Sequence, residues 1–208
     1  MDYKIISFVG IILFIAIMFM YYEKKKISII EICLIATLSA LCGVFRVPFA
    51  FLPNIQPTTF MVICCGIVFG PLSGFVIGAI ATIVSNFFLG HGSWTLWQML
   101  AWGLCGFSGG VLKIFLKNKI SLSIFCFSWG FLFGLIMNIW HFLFFVYPHN
   151  IKTLFAVFMS SFFFDFAHSL GNFIFAYTCG MDFINILDRF KSRLSLYDFK
   201  KEDYYEKN

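Results

Sequence analysis

The sequence predicts an all-α fold, a polytopic membrane helix bundle, on three observations. Of the 208 residues 61% are hydrophobic and only 12% charged, and the mean hydropathy of +0.90 lies far outside the balance of a soluble domain. The apolar residues fall into runs close to the ~20 residues that a helix needs to cross a bilayer. The positive charges gather at alternate ends of those runs, as they do in the cytoplasmic loops of membrane proteins.

The first run, Tyr3 to Tyr22, has no basic start and no small-x-small cleavage pattern, so it reads as a retained helix rather than a signal peptide. Lys24, Lys25 and Lys26 follow it, which puts its far end in the cytoplasm and the N-terminus outside. Six further spans follow, at about Ile27 to Phe45, Thr58 to Phe69, Leu72 to Leu89, Thr95 to Leu116, Leu122 to Val146 and Thr153 to Cys179. The Thr58 span is short for a full crossing. In this order the inner loops and the cytoplasmic tail hold all the lysines and arginines except Lys4, Arg46 and Lys152. The formal net charge of +5 is then a basic rim against the lipid bilayer and not a nucleic-acid footprint. The chain divides into a first helix with a basic linker (1–26), a six-helix membrane domain (27–181) and a polar tail (182–208), whose end, Ser192 to Asn208, reads as a frayed helix or a disordered segment.

Seven cysteines lie inside apolar runs with no CxxC pair, the pattern of small core residues rather than of a disulfide framework or metal site. Gly70-Pro71 breaks the chain between two spans, and Pro48, Pro53 and Pro57 stiffen the connection from Arg46 to Pro57, either as a lid over a cavity or as a rigid connector on the outer surface. Gly70, Gly74 and Gly78 suit close helix packing. Ala36 and Ala40 form a small-xxx-small pair that internal packing or a partner helix could use, with packing inside the subunit the default reading.

Polar groups inside such a chain point to function, because hydrocarbon tolerates them only where they meet a ligand, water or one another. Arg46, Asn54 and Gln56 stand in the proline-ruled connection. Trp94, Trp97 and Gln98 follow at helical spacing in the fifth span, and they suit stacking on a flat ligand with directional hydrogen bonds. Asn138 and His141 lie three residues apart in the sixth span, with His141 nearer the outside. In the seventh, Asp165, His168 and Asn172 recur, and Asp165 must be protonated, paired with His168 or Arg46, or turned to water. The expected recognition site has Arg46, Asn54 and Gln56 as a lid, Trp94, Trp97 and Gln98 as a wall, and Asn138 and His141 opposite.

The ordered segments PNIQPTTF, GIVFGPLSGFVIGAIATIVSNFFLGHG and SWTLWQMLAWGLCG resemble the substrate-binding S component of energy-coupling factor vitamin transporters. The resemblance covers about Ile27 to Cys179 and implies a six-helix S-component-like core plus one extra N-terminal transmembrane helix. It implies a membrane subunit that is not an enzyme and carries no cofactor. Its cargo would be a vitamin-like small molecule taken from outside and delivered to a T component and two cytoplasmic ATPase subunits, with toppling of the S subunit in the membrane. The family's AxxxA docking motif falls on Ala36 and Ala40. IQPTTF, SNFFLG and WTxWQMxAWG look most like the cobalamin-type group, with riboflavin and queuosine-type precursors as other cargoes. Nickel and cobalt S components carry a histidine close behind the initiating methionine, and this chain begins Met1-Asp2-Tyr3.

Two rival chemistries are weaker. His91, His141, Asp165 and His168 have metal-binding atoms but no uniting spacing. Gly106-Phe107-Ser108-Gly109 fits the GxSG pattern of rhomboid intramembrane proteases, with Ser108 as nucleophile and His168 as base. Yet Ser108 falls in the cytoplasmic half of its span. No GxxxxGK[ST] loop is present, so ATP hydrolysis belongs to another subunit.

Overall fold

A computed structural model describes residues 3–25 and 28–206, with side chains as far as Arg193. Met1, Asp2, Lys26, Ile27, Lys207 and the side chains from 194 onward, which bear on the expected spans, basic rim and tail, lie outside the described residues. The helices are α1 (Tyr3–Glu23), α2 (Ile29–Val44), α3 (Thr58–Phe69), α4 (Pro71–Leu89), α5 (Thr95–Val111), α6 (Lys119–Phe145), α7 (Ile151–Phe175) and α8 (Met181–Glu206). A short 3-10 turn at Val47–Phe49 follows α2, and a π-helical turn at Ala176–Gly180 carries α7 into α8. Five segments are long and apolar enough to cross a membrane: Tyr3–Glu23, Ile29–Phe49, Pro71–Leu89, Lys119–Phe145 and Ile151–Arg193. The 12-residue α3 and 17-residue α5 are shorter. The chain is a polytopic all-helical bundle.

Local chemistry sets the boundaries. Ser28 caps α2 by accepting from the Glu31 amide, Asn118 caps α6 through Ser121, and Asn150 opens α7 with a capping box to Thr153. Gly70 and Gly90, at φ of 93° and 98°, end α3 and α4 in a backbone region that a side chain would strain. The fifth helix stops at Val111 rather than near Leu116, because the backbone turns back through Lys113–Phe115 toward the Asn118 cap, with Leu116 buried beneath. From Ser192 on, the segment expected to be a frayed helix or disordered, the backbone is helical through Glu206.

Glycines fix the centre. A Cβ on Gly106 of α5 would strike the Gly74 carbonyl of α4, one on Gly66 of α3 would strike Gly106, and one on Gly78 would strike the Trp102 carbonyl. The backbones of α3, α4 and α5 therefore touch directly, as small residues allow in membranes, where no hydrophobic drive brings helices together. This also accounts for the GxSG sequence, whose first glycine belongs to the seam. Gly43 brings α2 equally close to Ala81 and Val84 of α4, and Gly130 and Gly134 bring α6 against Ser169 and Asp165 of α7.

A buried cluster around Val62, Ile63, Cys64, Cys65, Ile77 and Trp102 fills the middle. Five of the cysteines belong to the buried interior, but Cys33 and Cys179 are exposed on the outer surface of the bundle, so the expectation of uniformly core cysteines fails for these two. Helix α1 packs against α4, α5 and α6 through a second cluster in which Ile11, Ile15 and Met18 meet Phe75, Ala79 and Trp97. Ile184 and Leu187 of α8 enter the main cluster, and Lys191 donates to the Val68 carbonyl at 2.6 Å, capping the end of α3.

Candidate functional site

The short α3 explains how the site is built. Because α3 begins only at Thr58, the connection from Arg46 to Pro57 fills the space above it, with Phe49 edge-on to Phe175 of α7 at 5.4 Å and Ile55 against Gly171. The connection thus inserts Arg46 and Gln56 among the helices. Asn54, in the left-handed region at φ 56° that asparagine tolerates, is exposed and donates its amide to the Phe164 carbonyl at 3.4 Å, tying the connection to α7.

Arg46 organises the polar groups. Its Nε donates to Gln56 Oε1 at 2.7 Å, and its Nη1 donates to Ser85 Oγ at 3.1 Å and Asn86 Oδ1 at 3.0 Å. Asn86 passes the chain on, donating Nδ2 to Gln98 Oε1 at 2.8 Å and Thr95 Oγ1 at 3.2 Å. Below, the guanidinium lies 4.9 Å from the ring of Trp102, which is only 2% exposed and whose Nε1 donates to Thr59 Oγ1 at 3.0 Å. The Thr59 hydroxyl is in turn 2.9 Å from His168 Nε2. A polar column thus runs from the connection, through α4 and α5, to α3 and α7. Thr59, Ser85, Asn86, Gln98 and His168 are buried, Gln56 and Thr95 half-buried, and the buried ones are satisfied within the column, which is the condition for keeping them out of water.

A second polar group joins α6 to α7. Asn138 donates to Ser161 Oγ at 2.7 Å and to Asp165 Oδ2 at 3.1 Å, and Ser161 donates to the same carboxylate oxygen at 2.8 Å. Asp165 is therefore engaged by Asn138 and Ser161, while His168 is engaged by Thr59 and Arg46 by amides and a hydroxyl. One turn further along α7, Ser169 and Asn172 are fully buried, with the Ser169 hydroxyl and both polar atoms of the Asn172 amide unpartnered among the described residues.

The remaining candidates stand apart from the Arg46 column. Trp97 turns toward α1 in the second apolar cluster, Trp94 meets Trp140 edge-on at 6.1 Å, and His141 is exposed and stacked on Phe145 at 5.6 Å. Adjacent residues of a helix point ~100° apart, which is why Gln98 faces α4 while Trp97 faces α1. Thr59, Ser85 and Thr95 are not among the residues that the sequence singles out as a site. Their side chains are small and ordinary in membrane helices, and only the TTF that follows Pro57 and the SN pair at 85–86 mark them. On α2, Ala36 is exposed and Ala40 half-buried, while Ile35, Leu38, Ser39 and Cys42 face inward.

Neither rival is assembled. Ser108 donates its hydroxyl to the Cys105 carbonyl at 3.0 Å within its own helix, six residues or ~9 Å along the axis from Trp102, whereas His168 is held by Thr59, which is bonded to that tryptophan. The rhomboid-like reading is not supported. Among the described residues no three His, Cys, Asp or Glu side chains stand together as metal ligands.

Helices sealed by glycine, with a polar column enclosed between them, define a multi-pass membrane protein. The chain belongs to the ECF-type riboflavin transporter, S component family, whose model matches residues 26–186, so α1 lies outside the match. It is also similar to UPF0397 proteins of Aliivibrio fischeri (strain MJ11) and Aliivibrio salmonicida (strain LFI1238), at 29% and 28% identity over 105 residues, 48% of this chain and 57% of each relative. A UPF0397 protein of Vibrio atlanticus (strain LGP32) is 29% identical over 103 residues, 49% of this chain and 55% of the relative. The chain spans little more than half the length of these curated relatives. No solved structure matches it.

Proposed function

We propose that this chain is the substrate-specific membrane subunit of an ECF-type importer: it binds a vitamin-like small molecule from outside and delivers it to a T component and two cytoplasmic ATPase subunits. The observation that carries the reading is the Arg46–Asn86–Gln98 column inside a chain whose family is that of S components. Buried donors and acceptors converging on one place are what a solute-recognition site requires.

In this reading Arg46, Gln56 and Gln98 form the heart of the site, with Trp102 as its floor. Asn54 holds the connection in place as a lid. Trp94, Trp97, Asn138 and His141 shape the outer wall, with Trp97 acting through its packing. Ala36 and Ala40 dock the T component, a role favoured by the exposure of Ala36, since an internal packing contact would bury it. The N-terminus lies outside and the C-terminus in the cytoplasm, as the lysine distribution favours. Residues 1–26 are an accessory helix and linker to the 27–181 transport unit, and 182–208 form its cytoplasmic tail.

Cobalamin is the cargo suggested by the IQPTTF, SNFFLG and WTxWQMxAWG segments. Riboflavin is the second reading, favoured by the matched family. The visible absorption spectrum of the purified, ligand-saturated protein separates them, since corrins and flavins absorb differently. Binding of neither cargo would overturn this assignment.

A further inference from the structure

Arg46 is the basic residue whose surroundings are hardest to reconcile with a purely structural role. A guanidinium stays protonated in proteins, so it does not escape burial by giving up its charge. Its recorded partners are all neutral: the Gln56 and Asn86 carbonyl oxygens, the Ser85 hydroxyl and the face of Trp102. Between Glu31 and Asp182 the sequence holds a single acidic residue, Asp165, and its carboxylate is taken by Asn138 and Ser161. Among the described residues no carboxylate pairs with Arg46.

The half-buried side chain turns into the bundle rather than away from it. Nε and Nη1 point inward to α4 and the connection, and the plane sits on a tryptophan that is 2% exposed. A cation held inside a membrane protein without a counter-charge is costly, and such groups mark ligand or ion paths. The bonds recorded use Nε and Nη1; Nη2 takes part in none of them, and the planar fork of arginine is shaped for two-point contact with an oxyanion.

We propose that Arg46 is the counter-ion of the cargo: the ligand presents an oxyanion, phosphate or carboxylate, to the Nη2 side of Arg46, while its ring system lies toward the aromatic wall. This rests on the recognition site proposed above and adds to it the charge of the ligand. Neutral Gln56, Ser85 and Asn86 orient the guanidinium without neutralising it, which leaves its charge for the ligand.

The test uses the purified full chain and two pairs of probes that share a ring system and differ by an anionic group. FMN carries a phosphate that riboflavin lacks, and cyanocobalamin carries a phosphodiester-linked nucleotide that dicyanocobinamide lacks. In whichever pair binds, the anionic member should bind at least about tenfold more tightly, with an advantage that shrinks as salt rises. Arg46→Gln should bring the two members within about twofold, and Arg46→Lys, which keeps the charge but loses the fork, should retain part of the preference. Equal affinity for both members in the unaltered protein would overturn the charge assignment and leave the site standing, a result that needs no folded variant. Equal loss of both members in Arg46→Gln, with the protein still monodisperse, would make Arg46 a structural group and overturn it too. If none of the four probes bound, the recognition site itself would fall, and the inference with it.

Discussion

The two ends of the α3–α4–α5 unit are built on opposite plans. Toward Gly70 the three helices meet backbone to backbone at Gly66, Gly74 and Gly106, with no side chain between them. Toward Arg46, beyond the contact of Gly78 with the Trp102 backbone, they are joined to one another and to the connection by side chains: Thr59, Ser85, Asn86, Thr95, Gln98 and Trp102. Close packing holds one relative position and resists change. A hydrogen-bonded network can exchange its partners for those of a ligand at similar enthalpy. The contrast places adaptable chemistry on a rigid base, the arrangement that gives a binding site its precision.

Breaking the rigid end should have the largest effect. Gly106→Leu must force α4 and α5 apart, so we expect loss of monodisperse protein on size-exclusion chromatography, while Gly10→Ala, with nothing within 4 Å of the added methyl, should leave thermal stability unchanged. Stable Gly106→Leu protein would mean that the seam is not what holds these helices.

A second substitution touches neither end. Ala36→Leu with Ala40→Leu should abolish assembly with the T component in co-purification and leave ligand affinity within about twofold, because the bulk is added at an exposed and a half-buried position, neither of them in the Arg46 column. Loss of ligand binding to the same degree would make the pair internal packing.

The adaptable end should respond by degrees. Gln98→Ala removes the acceptor of Asn86 and should weaken ligand binding by about tenfold to a hundredfold in titration calorimetry, from the ~1 to 3 kcal/mol that an orphaned buried polar group costs. His141→Ala, at an exposed position stacked on Phe145, should change affinity by less than about threefold. A larger loss at His141 than at Gln98 would move the site outward along α6. Smallest of all, Ser108→Ala, which removes a bond to its own helix, should be silent in binding and in stability.

Much of this contrast can be read in the sequence, and what cannot has a physical reason. The spans are legible because a bilayer demands long apolar runs, and α1 to α7 fall where those runs lie, apart from the end of α5. Arg46, Gln56 and Gln98 stand out because charge and amide are expensive in hydrocarbon. Thr59 does not, since a threonine in a membrane helix can satisfy itself on its own backbone, as Thr82 does on Gly78. Only the fold reveals that Thr59 instead bridges Trp102 and His168. The wall of Trp94, Trp97 and Gln98 divides because α1, apolar on every side, gives no sequence sign of which face it covers. It takes Trp97 into its own contact.

The most direct test of the account is uptake of labelled riboflavin and cobalamin into vesicles holding this chain, with and without a T component and ATPases. The account predicts ligand binding by the chain alone without ATP, and accumulation inside only when the partners and ATP are both present. Accumulation by the chain alone, at a rate indifferent to ATP, would contradict it.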